Sequence, residues 1–284
     1  MSEASVLLIG DRGMLGRALS EELTRRGVAF DTASRPDFDI TDEAAVRSHL
    51  QPRHRTVINC AAWTDVDAAE SDFEAAESVN AAGPALLAER CLHLHARLVH
   101  FSTDYVFNGN ADTPWPTDAP IDPVNAYGKT KAEGERAIVA TGCDSLILRT
   151  SWLYAPWGKN FVLTMQTLMS ERDELTVVDD QRGRPTSVLN LARTTLELLD
   201  ENAVGILHAT DGGECTWFGF AEGIRERIGS ACRIEPCTSD AFPRPAKRPA
   251  YSVLDLTETE ARIGPRPHWH DGLDEVLKRC RALS

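Results

Sequence analysis

No apolar run in this chain of 284 residues approaches the roughly 20 residues that a helix needs to cross a bilayer. The first five residues, Met1 to Ser5, also lack the basic stretch that opens a secretory leader. A soluble protein with no membrane attachment is the expectation. Paired Cys-x-x-Cys spacing is missing too. The seven cysteines (Cys60, Cys91, Cys143, Cys215, Cys232, Cys237, Cys280) are odd in number and scattered, which speaks against a zinc site or a secreted disulfide framework and suits reduced thiols in a cytoplasm. Positive charge is in short supply, with 30 Lys plus Arg against 43 Asp plus Glu and a net charge of −13. Such a chain gains little from the phosphate-backbone term that drives nucleic-acid binding, so nucleic acid is set aside as a partner. There is no internal repeat and no low-complexity tract. The length allows one large sheet with an appended lobe, or two intimate domains.

What is present is a rhythm of short apolar runs alternating with helical stretches. Val6-Leu7-Leu8-Ile9 is apolar throughout, as strands buried on both faces of a parallel sheet are. A helix is expected from Met14 to near Gly27, a strand from Val28 to Phe30, a helix opened by Thr41-Asp42-Glu43, and a strand over Thr56 to Cys60. An Ala/Glu-rich helical region runs through Glu89. Strands follow at Arg97 to Phe101 and Leu146 to Leu148, with a helix between them that begins around Tyr127. This pattern predicts an α/β fold, a doubly wound parallel sheet of Rossmann type, with a smaller mixed α/β substrate-binding lobe towards the carboxyl end. Phe161 to Ser170 reads as helix, Leu175 to Asp179 as strand, and Leu189 to Leu199 as a helix packed back on the sheet. From Gly205 on, Gly and Pro separate short elements, as in Phe242 to Pro249. The expected division is a dinucleotide domain over residues 1–150, completed by 175–204, and a lobe made of 151–174 and 205–284.

Gly10, Gly13 and Gly16 follow the first strand and precede its helix. Glycines there permit a tight turn, close approach of a pyrophosphate, and a helix amino end that favours negative charge. The spacing is G-x-x-G-x-x-G where the dinucleotide fingerprint is G-x-G-x-x-G, and an ordinary strand-to-helix turn would look much the same. Past the second strand come Thr32-Ala33-Ser34-Arg35. No acidic residue stands where ribose hydroxyls would be held, and Arg35 suits a 2′-phosphate, which tilts the expectation to NADPH with NADH as the alternative.

Tyr127 and Lys131 share a helical face at four-residue spacing. Reduction of a carbonyl needs hydride at carbon and a proton at oxygen. A tyrosine can supply the proton if its pKa is lowered, which Lys131 is expected to do by stabilising the phenolate. Thr103, expected just past the fourth strand, can hydrogen-bond the same oxygen. For a lone Y-x-x-x-K, a packing tyrosine and a solvated lysine would be the plainer reading.

With these residues in hand the chain closely resembles the extended short-chain dehydrogenase/reductase superfamily and, within it, the dTDP-4-dehydrorhamnose reductase family. The likeness rests on the glycine loop, Asp39-Ile40-Thr41-Asp42, Asn59 to Glu70, Ser102 to Phe107, Asn125 to Lys131, Arg149 to Tyr154, Asp180 to Thr186 and Arg248 to Ser252. It implies catalytic roles for Thr103, Tyr127 and Lys131. It implies a cofactor shell of Gly10, Gly13, Met14, Leu15, Gly16, Asp39, Ile40, Ala61, Ala62 and Asn80, joined by Tyr127 and Lys131. It also implies a sugar-nucleotide side of Thr64, Val66, Asp104, Tyr105 and Trp152 beside Thr103 and Tyr127. Trp152 would be an aromatic wall, and Arg248, Lys247, Arg182 or Arg184 would meet a diphosphate. Trp63, Cys60, Arg182 and Arg184 depart from the family's usual residues.

The implied reaction is NADPH-dependent reduction of dTDP-4-dehydro-β-L-rhamnose to dTDP-L-rhamnose. Alternatives are another dTDP-4-keto-6-deoxy-sugar reductase, a 4,6-dehydratase or epimerase, and a non-catalytic NADP-binding regulatory subunit like the β subunit of methionine adenosyltransferase. Dehydratases usually carry Asp-Glu after the Thr, and here Tyr105 follows Asp104. Some members of the family form metal-linked dimers, so a homodimer and Mg2+ both stay open. His93-x-His95 and His268-x-His270 lack further ligands at convincing spacing, so no metal site is expected. Asp67, Glu70, Asp72, Glu74 and Glu77 read as a wet helix face.

Overall fold

A computed structural model describes residues 5–283; the amino-terminal reading over residues 1–4 lies outside them. In chain order, β1 (Val6–Ile9) leads through the glycine turn to α1 (Met14–Arg25), β2 (Phe30–Ala33), α2 (Glu43–His49) and β3 (Thr56–Asn59). Two short helices, α3 (Ala68–Ser71) and α4 (Phe73–Glu77), pass into a π-type turn over Ser78–Ala82 and then α5 (Gly83–Leu94). Next come β4 (Arg97–Thr103), α6 (Ala126–Thr141) and β5 (Ser145–Thr150). The remainder is β6 (Leu153–Tyr154), α7 (Phe161–Glu171), β7 (Glu174–Val178), β8 (Arg182–Gly183), β9 (Thr186–Ser187), α8 (Val188–Asp200), β10 (Gly205–His208), β11 (Cys215–Thr216), α9 (Trp217–Ile228), β12 (Arg233–Cys237), α10 (Thr257–Ile263) and α11 (Trp269–Leu283).

Six strands form one parallel sheet in the order β10-β5-β4-β3-β1-β2. The order reverses between β1 and β3, so all the βα loops of both halves open along one carboxyl edge, where such folds bind ligands. The core lies on both faces. One cluster packs Leu8, Leu19, Ile58, Leu146 and Leu148 against α1 and α8, and the other packs Leu7, Ile9, Val57, Leu98 and Ile147 against α2 and α5. Alternation along β1 sends Leu7 and Ile9 one way and Leu8 the other, as strand geometry requires. Local signals bound the helices: the Asp42 side chain opens α2 by accepting from the N–H of Ala44 and Ala45, and Gly142 closes α6 at φ 69°.

Strand pairing differs from the expected allocation in two places. Glu174–Val178 pairs in parallel with β12, outside the main sheet, while Gly205–His208 pairs with β5 and completes that sheet. Both are short apolar runs, and nothing local distinguishes which partner each will find. β4 also runs two residues longer than expected, so Thr103 is its last residue. Among the described residues no helix is long and apolar enough to cross a membrane, and no group of three or more His, Cys, Asp or Glu side chains is arranged to hold a metal ion.

Candidate active site

The catalytic helix is set by its cap. Asn125 precedes α6, its side-chain oxygen accepts the Gly128 N–H at 2.8 Å, and its amide donates to the Lys247 carbonyl at 2.8 Å. Glu70, exposed as expected of a wet face, also accepts the N–H of Ala126 at 2.8 Å and so helps to hold this helix end. Tyr127 is thus held in the first turn. It is half-buried with Trp63 against Ala69, Ala76 and Ala126, and its ring meets Tyr105 edge-on at 6.1 Å. Close packing fixes the far side of the helix: a Cβ on Gly134 would stand 2.1 Å from the Asn80 carbonyl oxygen in the π-type turn.

β4 delivers the other half. The Thr103 hydroxyl donates to Asp104 Oδ1 at 2.9 Å and accepts the Tyr105 N–H at 3.2 Å. Burial raises the Tyr127 phenol above its ordinary range; the hydrogen bond from Thr103 opposes this and the Asp104 charge adds to it. The expected depression by Lys131 is not found in the free protein. The lysine is drawn inward: its Nζ donates to the Phe101 carbonyl at 2.6 Å and lies 3.2 Å from His100 Nε2. Burial lowers Lys131 to about 8, against a smaller opposite pull from Glu135. Burial likewise raises Asp104 to about 7. Its second oxygen, buried near Ser252, has no partner of hydrogen-bonding geometry.

On the cofactor side, the glycine loop fits a pyrophosphate. Gly13 is the residue before α1 and offers no side-chain cap to the helix amino end. A Cβ there would meet only the Gly10 carbonyl oxygen, at 3.3 Å, whereas one on Gly16 would stand 2.0 Å from that atom, so Gly13 leaves a cradle open and Gly16 lets the helix close under it. Leu15 and Ile40, expected in the shell, turn their side chains into the core at 7% and 4% exposure, which leaves their backbone groups for a ligand. Asp39 accepts both the N–H and the hydroxyl of Thr41, and the ordinary carboxylate value is lowered chiefly by that backbone bond. Its other oxygen takes Arg35 at 2.8 Å. Arg12 donates to the Arg35 carbonyl at 2.9 Å, so two guanidinium groups gather past β2. Ala61 and Ala62 follow β3 directly. The Asn80 side chain is spent on protein: it accepts the Trp63 N–H at 2.9 Å and donates to the Trp63 carbonyl and to Thr130 Oγ1, both at 3.1 Å.

On the opposite side, Thr103 pairs in register with Thr150, so Trp152 leaves β5 beside Asp104. Trp152 sits in the left-handed region at φ 48°, its ring stacked on Trp217 at 3.6 Å, with its indole N–H buried and unpaired. Thr64 is exposed and Val66 partly so. Arg248 is not free: Nη1 pairs with Asp67 Oδ1 at 2.9 Å, with Arg244 on the other oxygen at 3.7 Å, so Asp67 is a half-buried ion-pair partner where a wet face was expected. Arg184 is pulled under, its Nε buried and unpaired, while Arg182 meets Glu214 at 3.2 Å near the surface. A hollow of about 550 Å³ beside Arg182 and Tyr251 is lined by none of Thr103, Tyr127 or Lys131.

Sequence reasoning missed Arg12, His100 and Asn59. Arg12 carried a signal as the one arginine within the glycine loop; the other two are ordinary strand residues whose meeting depends on register.

Sheet, glycine cradle and a tyrosine with a lysine one turn on define a short-chain dehydrogenase/reductase of the extended type. A family model described as the RmlD substrate binding domain matches residues 4–282, and the chain belongs to that family. A dTDP-4-dehydrorhamnose reductase of Streptomyces griseus is 44% identical over 278 residues, covering 95% of this chain and 91% of the relative. A dTDP-4-keto-6-deoxy-D-glucose reductase of Streptomyces niveus is 40% identical over 281 residues, 97% of each chain. The solved dTDP-4-dehydrorhamnose reductase of Bacillus anthracis, in complex with NADP, superposes with a TM-score of 0.94 at 33% identity, covering 98% of this chain and 100% of that one.

Proposed function

We propose that this protein reduces the 4-keto group of dTDP-4-dehydro-β-L-rhamnose to give dTDP-L-rhamnose, using NADPH. The observation that carries the reading is the convergence of Tyr127, Thr103 and Asp104 where β4 meets α6, with an Asp104 oxygen and the Trp152 indole N–H both buried and unpaired. An acceptor and a donor without partners are what a polyhydroxylated sugar would satisfy, since leaving them unmade is costly.

The bound dinucleotide supplies the hydride. Tyr127 keeps its proton in the free protein and gives it to the ketone oxygen as charge develops there; Thr103 orients the phenol and stabilises what remains. Lys131 holds the ribose of the cofactor once its amine leaves the Phe101 carbonyl. Gly10, Gly13, Met14, Leu15 and Gly16 take the pyrophosphate on their backbone, Asp39, Ile40, Ala61, Ala62 and Asn80 line or hold the nucleoside side, and Arg12 with Arg35 meets the 2′-phosphate. Thr64, Val66, Tyr105 and Trp152 face the sugar nucleotide, and Arg248 exchanges Asp67 for its diphosphate. The dinucleotide-binding and substrate-binding division of the chain is retained with β10 moved to the first and β7 to the second; a cytoplasmic homodimer is part of the same reading, with Mg2+ as a dependence to be measured.

Purified protein mixed with that keto sugar and NADPH consumes the nicotinamide absorbance. No turnover with any dTDP-4-keto-6-deoxy sugar would sink the proposal, and Tyr127→Phe at full rate would remove the phenol from its role, against an expected loss of roughly 10²–10⁴-fold. One observation favours a second reading. Trp63 packs beside Tyr127, so the sugar pocket has a bulky ring at its threshold, and a different dTDP-4-keto-6-deoxy sugar would then be preferred in a substrate panel.

A further inference from the structure

Lys131, His100 and Asn59 form a buried chain that runs from the active site to the loop after β3. His100 lies opposite Asn59 in the β3–β4 register, and each of the three residues is 1% exposed. Donors and acceptors along it can be assigned by elimination. The Ala61 N–H donates to Asn59 Oδ1 at 3.0 Å, which turns the amide nitrogen of Asn59 towards His100 Nδ1 at 3.1 Å. An amide nitrogen only donates, so Nδ1 accepts and a neutral ring carries its proton on Nε2. That N–H faces Lys131 Nζ at 3.2 Å. An ammonium has no lone pair to offer it; an amine has one, and still donates to the Phe101 carbonyl at 2.6 Å.

The opposite arrangement is just as determinate. With Lys131 charged, Nε2 must accept, Nδ1 must carry the proton, and the Asn59 amide must turn over to receive it. Its NH2 group then faces the Ala61 N–H, which loses its acceptor. The charge on the lysine and the hydrogen bond of the cofactor-side loop are therefore alternatives.

We propose that Asn59 and His100 are positioning residues that favour the uncharged amine of Lys131 in the cofactor-free protein, and that protonation of Lys131 is coupled to rotation of the Asn59 amide and release of the Ala61 N–H. The ionisable groups facing Lys131 are His100 from β4 and Glu135 from its own helix. Glu135 accepts Arg149 Nε at 2.9 Å and Nη2 at 2.8 Å, so its charge is already matched. Burial alone lowers His100 below its ordinary range, which keeps the ring neutral as the assignment requires. The inference deepens the reading of Lys131 as the catalytic lysine, yet its measurement needs no turnover.

Nitrogen-15 NMR of the cofactor-free protein reads both ends of the chain. Lysine occurs only at 129, 131, 159, 247 and 278, so the side-chain signals are few, and Lys131→Met assigns the one in question. The expected result is a Lys131 titration near pH 8, about two units below an ordinary lysine, with the His100 proton on Nε2 above that pH and on Nδ1 below it. In Asn59→Asp both carboxylate oxygens accept, the His100 proton moves to Nδ1, and the Lys131 titration rises by about a unit or more. A proton found on Nδ1 in the unmodified protein well above pH 8, or Lys131 titrating like the other four, overturns the proposal. Should Asn59→Asp fail to fold, the tautomer in the unmodified protein decides alone. A protein with the expected tautomer and titration that reduces no keto sugar would refute the reductase reading and leave this one standing.

Discussion

Tyr127 keeps its proton because burial outweighs the Thr103 hydroxyl that favours the phenolate, and a proton donor is useful only while it still holds the proton. The division of labour is therefore thermodynamic as well as geometric: the phenol is primed by desolvation, and Thr103 helps only when charge begins to form. Arg35 is a different kind of residue, exposed and paired with Asp39 at 2.8 Å, so its present partner contributes little and is easily exchanged. Arg35→Ala is expected to weaken NADPH binding by about 10- to 100-fold, matching the roughly 1.5–3 kcal/mol of a hydrogen bond to a charged group. NADH binding should stay unchanged, and titration calorimetry with the two cofactors separates the cases. Equal losses for both would take the 2′-phosphate away from Arg35. The phenol, the lysine and the glycines were legible at this scale because their spacing is local. The inward turn of Lys131 was not, since His100 reaches it across 31 positions and only strand register brings them together.

At the scale of elements, α6 is clamped from three sides. Asn125 and Glu70 hold its amino end, Gly134 lets it press against the π-type turn, and Glu135 ties it to β5 through Arg149. That last pair is buried almost completely, at 1% and 2% side-chain exposure, and the Ser102 hydroxyl on β4 donates to the same carboxylate. Removing one charge strands the other. Glu135→Gln is expected to cost about 3–5 kcal/mol, read as a drop in the urea midpoint with little change in slope. A loss under about 1 kcal/mol, the range of surface pairs, would show that the clamp is not what secures the helix. The elements of this region could be read from caps and periodicity: Asp42 announces α2, and the stretch from Tyr127 onward reads as α6. The break of the Ala/Glu-rich stretch into α3, α4 and a π-type turn could not, because each piece is a good helix former and the interruption answers to Asn80 gripping the loop at Trp63.

For the molecule as a whole, acidity is distributed unevenly between surface and interior. Asp211, buried between β9 and α11, accepts the Ser187 N–H at 3.1 Å, and burial raises it from 3.8 to about 7. Between those values the folded chain holds a proton that the unfolded chain has released. The stability this group contributes is full below about pH 4 and is lost as pH rises through about 7. Asp211→Asn should therefore gain on the unmodified protein steadily from pH 4 to 7 and hold a constant lead above that, measured as the difference in urea midpoints. A lead that shrank with rising pH would reverse the assignment.

The sheet has a last consequence that belongs to time. β5 ends at Thr150, and its outer neighbour β10 is encoded only at Gly205–His208. During synthesis at about 5–20 residues per second, the ribosome needs roughly 3–12 s to add the intervening stretch, and for that interval the growing chain carries a bare strand edge of apolar Leu146, Ile147 and Leu148. Nascent chains stalled between these points should recruit holding chaperones, and chains stalled beyond the release of His208 should let them go.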